Sequence, residues 1–151
     1  MGTLNELAAR LTHAERIGLD TVVFIYAFER HPQFGAAARV IFHALETGAC
    51  QGVASTLALG EILVGVKKAR HPDLELRYRD VLTRFPGLTL RDADVAVMEA
   101  MADLRANYGL PTPDAIHLAT ALVSGARAFV TNDLRLRQVQ ELDVILLADW
   151  E

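Results

Sequence analysis

Five short runs rich in aliphatic, small or β-branched residues punctuate the chain: Arg16 to Asp20 (RIGLD), Gln51 to Ser55 (QGVAS), Leu88 to Leu90 (LTL), Ala128 to Thr131 (AFVT) and Asp143 to Leu147 (DVILL). Between most of them lie long stretches with apolar residues at helical spacing. This alternation is the strongest constraint on the fold. Strands separated by a helix cannot close a tight hairpin, so they pair in parallel through crossovers, with helices covering both faces of the sheet. The expected class is α/β with a central, mostly parallel sheet. Ligands of such sheets bind beyond the C-terminal ends of strands, where Asp20 and Asp133 are both expected.

The helical segments have readable ends. TLNE at Thr3 to Glu6 matches a capping box, and Leu4, Leu7, Ala8 and Leu11 then share one face, which predicts an N-terminal helix over about residues 3–15. The run TVVFIYAFE after Asp20 suits a strand or a buried helix, and a helix is favoured. Further helices are expected over Phe34 to Thr47, Thr56 to Ala69, Leu74 to Phe85 and Asp92 to Asn107. Thr112 reads as an N-cap and Pro113 as the first helical residue, which places Asp114 in the first turn of DAIHLATALVSG.

At 151 residues, with no linker or repeat, the chain fits a single domain, residues 1–151. Its longest apolar run, Val22 to Phe28, is far short of the roughly 18 residues of a membrane helix, so no membrane partner is expected. The N-terminus lacks the apolar core of a secretory signal, and the expected location is cytoplasmic. Cys50 is the only cysteine, which excludes an internal disulfide and a thiolate-cluster metal site; a buried small hydrophobe is its expected role. The net charge of -4 argues against a phosphate-binding surface unless acids gather around cations.

Four acids interrupt apolar surroundings: Asp20 in IGLDTVVF, Glu61 in LALGEILVG, Asp114 in TPDAIHLA and Asp133 in FVTNDLRL. An ionised carboxylate in such a setting must be exposed, paired or on a metal. The only lysine or arginine in these local contexts is Arg135, two positions after Asp133, a candidate substrate contact. If the four converge, an oxygen-only ligand set favours Mg²⁺ or Mn²⁺ over zinc, and the histidines form no HxxxH pair that would argue otherwise. A carboxylate cage around such ions is the standard apparatus for phosphodiester hydrolysis.

The stretches LDTVVFIYAFE, TLALGEIL, PDAIHLATAL and FVTND, in this order, resemble the four acidic motifs of the PIN-domain nucleases. The resemblance implies a PIN-like three-layer α/β/α fold. It implies metal-binding and catalytic roles for Asp20, Asp114 and Asp133, with Glu61 completing the cluster directly or through water. Thr131 corresponds to the hydroxyl residue that orients the last acid or a bound water. The implied activity is Mg²⁺- or Mn²⁺-dependent endoribonuclease cleavage of RNA, leaving a 5′-phosphate and a 3′-hydroxyl. Many small bacterial members are toxins of VapBC-type toxin-antitoxin pairs, so a homodimer and an antitoxin protein partner are expected. Two features depart from the pattern: the N-terminal helix precedes the usual first strand, and Val22 stands where an Asn is common.

Blander readings stay open at each position. Asp114 can act only on the helix dipole, and Asp20 and Asp133 only as turn or cap residues. His117, one turn after Asp114, reads as a helix-face residue bonding locally rather than as a general base. A catalytically inactive PIN-like module that binds RNA or protein is the alternative. A phosphatase with an Asp nucleophile, resembling the haloacid-dehalogenase family, wants a second Asp two positions after the first, where Val22 stands.

Overall fold

Five strands form where the pattern puts them, and every neighbouring pair is parallel. The computed structural model describes Met1–Glu151. The strands are β1 (Arg16–Leu19), β2 (Gln51–Ser55), β3 (Leu88–Arg91), β4 (Ala128–Thr131) and β5 (Asp143–Leu146), ordered β3-β2-β1-β4-β5 across the sheet. The chain therefore builds outward from β1 on one side, then returns to pair β4 against its other edge. That reversal is a topological switch point, and in open parallel sheets the crevice beyond the strand ends there is where ligands bind.

Helices cover both faces. On one side lie α1 (Leu4–Ala14), α2 (Thr21–Phe28), α3 (Gly35–Glu46), α4 (Thr56–Lys68) and α5 (Pro72–Arg84), packed through Leu7, Phe24, Ile41, Ile62 and Leu82 onto Ile17, Leu19 and Val130 of the sheet. On the other lie α6 (Val95–Tyr108) and α7 (Thr112–Val123), whose Leu104 and Leu118 share a second core with Val53 and Phe129. All four β4 residues are buried, Ala128 and Val130 in one core and Phe129 in the other. No helix is long and apolar enough to cross a membrane.

The capping box forms at the chain's first helix: Glu6 N–H donates to Thr3 Oγ1 at 3.2 Å and Thr3 N–H to Glu6 Oε2 at 2.7 Å. Several boundaries move. Helix α6 begins at Val95 instead of Asp92, because Asp94 is its N-cap and accepts from Val97 N–H at 3.0 Å. Helix α7 begins at Thr112 itself, since the carbonyl of Pro111 accepts the first helical bond from Ala115; Thr112 is not the cap, and no side chain caps this end. Asp114 remains in the first turn. Cys50 is buried, and burial pushes its thiol up to about 11, which removes it as a nucleophile near neutral pH.

Helix α7 lies almost in contact with β1, and one glycine permits it. A Cβ at Gly18 would stand 2.4 Å from Ala121 Cβ and 2.9 Å from Phe129 Cδ1. Gly18→Ala is therefore expected to destabilise the protein by about 1–3 kcal/mol through overpacking, and each kcal/mol lowers Tm by roughly 2–4 °C for a chain of this size. Thermal melts of the two proteins check this; an unchanged Tm would show that α7 can lift off the sheet freely.

Candidate active site

The C-terminal ends of β1 and β4 open into a cleft of about 510 Å³ whose walls include Asp20, Glu61, Asp114 and Asp133. These acids arrive from separate elements. Asp20 follows β1 and is the N-cap of α2, Glu61 projects from α4, Asp114 from the first turn of α7, and Asp133 from the turn after β4. Because β1 pairs with β4, Asp20 N–H donates to the Val130 carbonyl at 3.0 Å, and the two strand-end acids lie on the same rim.

Each acid has its own partners. Asp20 Oδ1 accepts from Thr21 N–H at 2.8 Å, and its Oδ2 accepts from the Thr131 hydroxyl at 2.6 Å. Thr131, fully buried, in turn accepts from Asp133 N–H at 3.1 Å, so one hydroxyl joins the first acid to the backbone of the last. Asp133 is gripped by Arg135, with Nη2 at 2.6 Å from Oδ2 and Nε at 3.0 Å from Oδ1. The same Nη2 lies 3.4 Å from Asp114 Oδ2. Arg135 thus lies across two acids, and the hydrogen bonds it makes to Asp133 hold that carboxyl below the usual range.

Asp114 behaves oppositely. Burial raises its carboxyl above the ordinary value, and the negative charges of Asp20 and Asp133 push the same way, only partly offset by Arg135 and His117. Of the four positions, this is the one at which the protein alone least compensates a negative charge.

Glu61 has partners that local pattern reading missed. His117 Nε2 lies 2.6 Å from Glu61 Oε1, and the Thr21 hydroxyl donates to the same oxygen at 2.7 Å. The hydrogen bond from His117 is the largest reason that the Glu61 carboxyl is lowered, with Thr21 adding to it against burial. His117 therefore does not bond locally on its helix but reaches across to α4. The signal available was its spacing: three residues after Asp114, it shares a helix face with that acid.

Other basic residues near the motifs are engaged elsewhere. Arg137 pairs with Asp149, and Lys67 with Glu75 at 2.5 Å. Asn132 accepts from Ala148 N–H at 3.0 Å and shapes the turn. Tyr26 is half-buried and lines the cleft, packed against His31 and Phe34.

No three His, Cys, Asp or Glu side chains are gathered tightly enough here to ligate one ion. Each carboxylate instead meets a protein donor: Thr21 N–H and the Thr131 hydroxyl at Asp20, His117 and Thr21 at Glu61, and Arg135 at Asp114 and Asp133. The donor set nonetheless suits a hard cation. It is all oxygen, Asp114 is burdened by neighbouring negative charge, and a guanidinium already stands across Asp114 and Asp133.

No curated protein matches the chain in sequence. Similar solved structures include a toxin-antitoxin complex from Klebsiella pneumoniae, with 26% identity over 87% of this chain and 97% of that one, at a TM-score of 0.66. VapBC2 from Rickettsia felis bound to a promoter DNA fragment is similar at 18% identity, 87% and 98% coverage and a TM-score of 0.70. DNA-bound VapBC from Salmonella typhimurium is similar at 19% identity, 88% and 98% coverage and a TM-score of 0.68. The last two likenesses concern the fold. The profile of the PIN domain matches residues 17–142. With that match over most of its length, a parallel sheet ordered around β1, and acids at the ends of β1 and β4, the chain belongs to the PIN domain family, whose members are nucleases that generally use divalent metals.

Proposed function

We propose that this protein is a divalent-metal-dependent endoribonuclease, acting in the cytoplasm as the toxin of a toxin-antitoxin pair. The observation that carries the reading is the convergence of Asp20, Glu61, Asp114 and Asp133, from four separate elements, on one cleft. Asp20, Asp114 and Asp133 would hold Mg²⁺ or Mn²⁺, with Glu61 completing the set. When bound, such an ion supplies a more acidic water and neutralises charge on the attacked phosphate.

The chain's own residues supply the rest. Thr131 holds Asp20 in one orientation and ties it to the Asp133 backbone. Asp114, partly buried beside the negative charges of Asp20 and Asp133, is an acid that a cation would relieve. Arg135 is largely exposed and pairs with Asp133 and Asp114 on the rim, where its guanidinium would meet an incoming phosphate. In-line attack of water at phosphorus, with the P–O3′ bond breaking and the proton of the water passing to the departing 3′-oxygen, would leave a 5′-phosphate and a 3′-hydroxyl. The toxin assignment, with an antitoxin partner, rests on the likeness to the Klebsiella pneumoniae complex; a homodimeric state is proposed with it from the family resemblance.

The test is cleavage of a mixed-sequence RNA. Cutting is expected with Mn²⁺, and its loss is expected with a chelator or with Asp20→Asn. Cleavage that survives both would overturn the reading. An intact RNA together with no calorimetric heat from millimolar Mn²⁺ would identify a non-catalytic binding module instead.

A further inference from the structure

His117 is 4% exposed, yet neither of its ring nitrogens serves the core around it. Nδ1 is buried with no hydrogen-bond partner, an arrangement that ordinarily costs stability. Nε2 points the other way, to Glu61 Oε1 at 2.6 Å. A ring placed for packing alone would be better replaced by an apolar one. The single polar service that this imidazole performs is therefore to Glu61.

The hydrogen count at Glu61 is informative. A carboxylate only accepts, so the Thr21 hydroxyl, 2.7 Å from Oε1, spends its one proton there. The 3.3 Å contact between Thr21 Oγ1 and His117 Nε2 then cannot be donated by the hydroxyl, and Nε2 is the nitrogen carrying hydrogen. Both donors converge on Oε1, and Oε2 receives no hydrogen bond from the protein. Without them Glu61, on the more exposed face of α4, would sample many rotamers, as long charged side chains do.

We infer that His117 and Thr21 are positioning residues: they clamp Glu61 by Oε1 and leave Oε2 free to complete, directly or through water, the oxygen set that Asp20, Asp114 and Asp133 would offer a divalent cation. Helix α7 then delivers one acid directly through Asp114 and sets a second, on α4, through His117 one turn later. This rests on the nuclease reading, but its test is metal binding and needs no RNA.

Mn²⁺ titration by calorimetry, on the intact chain, decides it. His117→Leu, which keeps the volume and removes both nitrogens, is expected to weaken Mn²⁺ about tenfold, as loss of a residue that orients a metal ligand commonly does. His117→Gln, whose amide nitrogen can reach the place of Nε2, is expected to restore most of that affinity. On a Glu61→Gln background, His117→Leu is expected to add nothing. Unchanged Mn²⁺ affinity in His117→Leu overturns the inference, as does an equal loss in His117→Gln or a further loss on the Glu61→Gln background. Should His117→Leu fail to fold, Thr21→Val removes the second donor to the same oxygen; unchanged affinity there overturns the inference equally. An unmodified protein that binds no Mn²⁺ sinks the nuclease reading itself, which is a distinguishable result.

Discussion

Asp114→Asn is expected to reduce RNA cleavage by about a thousandfold, while raising the melting temperature of the metal-free protein. The two effects have one cause. The Asp114 carboxylate is partly buried beside Asp20 and Asp133, and its negative charge is opposed by all three circumstances. Asn keeps the shape and removes the charge, which relieves the repulsion and also removes a ligand oxygen of full charge. A thousandfold loss corresponds to about 4 kcal/mol at the transition state, in keeping with several kcal/mol of charge stabilisation supplied by a properly held ion.

Adding Mn²⁺ should reverse the order of stability. At a hundred times its Kd, an ion that binds only the folded state adds about 2.7 kcal/mol to the unmodified protein, and the variant should forfeit most of this. Single-turnover cleavage and thermal melts with and without Mn²⁺ measure both sides. Cleavage within tenfold of the unmodified protein, or a Tm that falls in the absence of metal, would show that Asp114 is a structural helix-start acid and no more.

The second large effect is expected far from the cleft. Helix α1 precedes the residues matched by the family profile, which begin at Ile17, yet its Leu7 and Leu11 are both fully buried. It packs against α3 and the start of the sheet, and the chain ends close over it: Gly2 N–H donates to the Asp149 carbonyl at 2.8 Å, and Arg10 Nη2 meets Asp143 Oδ1 at 2.5 Å. Leu11→Ala should therefore cost about 3 kcal/mol, the middle of the range for a buried Leu truncated to Ala, and lower Tm by roughly 6–12 °C. Mn²⁺ affinity should stay the same, because no α1 residue lines the cleft. Denaturant unfolding and a Mn²⁺ titration check the pair of outcomes. A loss under about 1 kcal/mol would mean that α1 is a loosely attached appendage rather than part of the core.

Local pattern reading succeeded where the determining interactions lie within a few residues. The five strands and most helix limits follow from periodicity and caps, and where limits moved, at Val95 and Thr112, the cause was which neighbouring residue supplied the first helical acceptor. His117 looks local in the sequence because nothing near it reveals Glu61, which stands 56 residues away.

Alternating strand and helix patterns, taken with acids at strand ends and in a helix's first turn, were enough to settle the α/β class and to nominate Asp20, Glu61, Asp114 and Asp133. Each of these is a matter of short-range geometry. Only the folded chain decided that β4 inserts beside β1, that Thr131 bridges Asp20 to Asp133, that Arg135 lies across two acids, and that His117 and Thr21 hold Glu61 by one oxygen. Those contacts join residues whose separation along the chain carries no periodic signal; they exist because the helices that bury the two faces of the sheet bring α2, α4 and α7 together beyond the ends of β1 and β4.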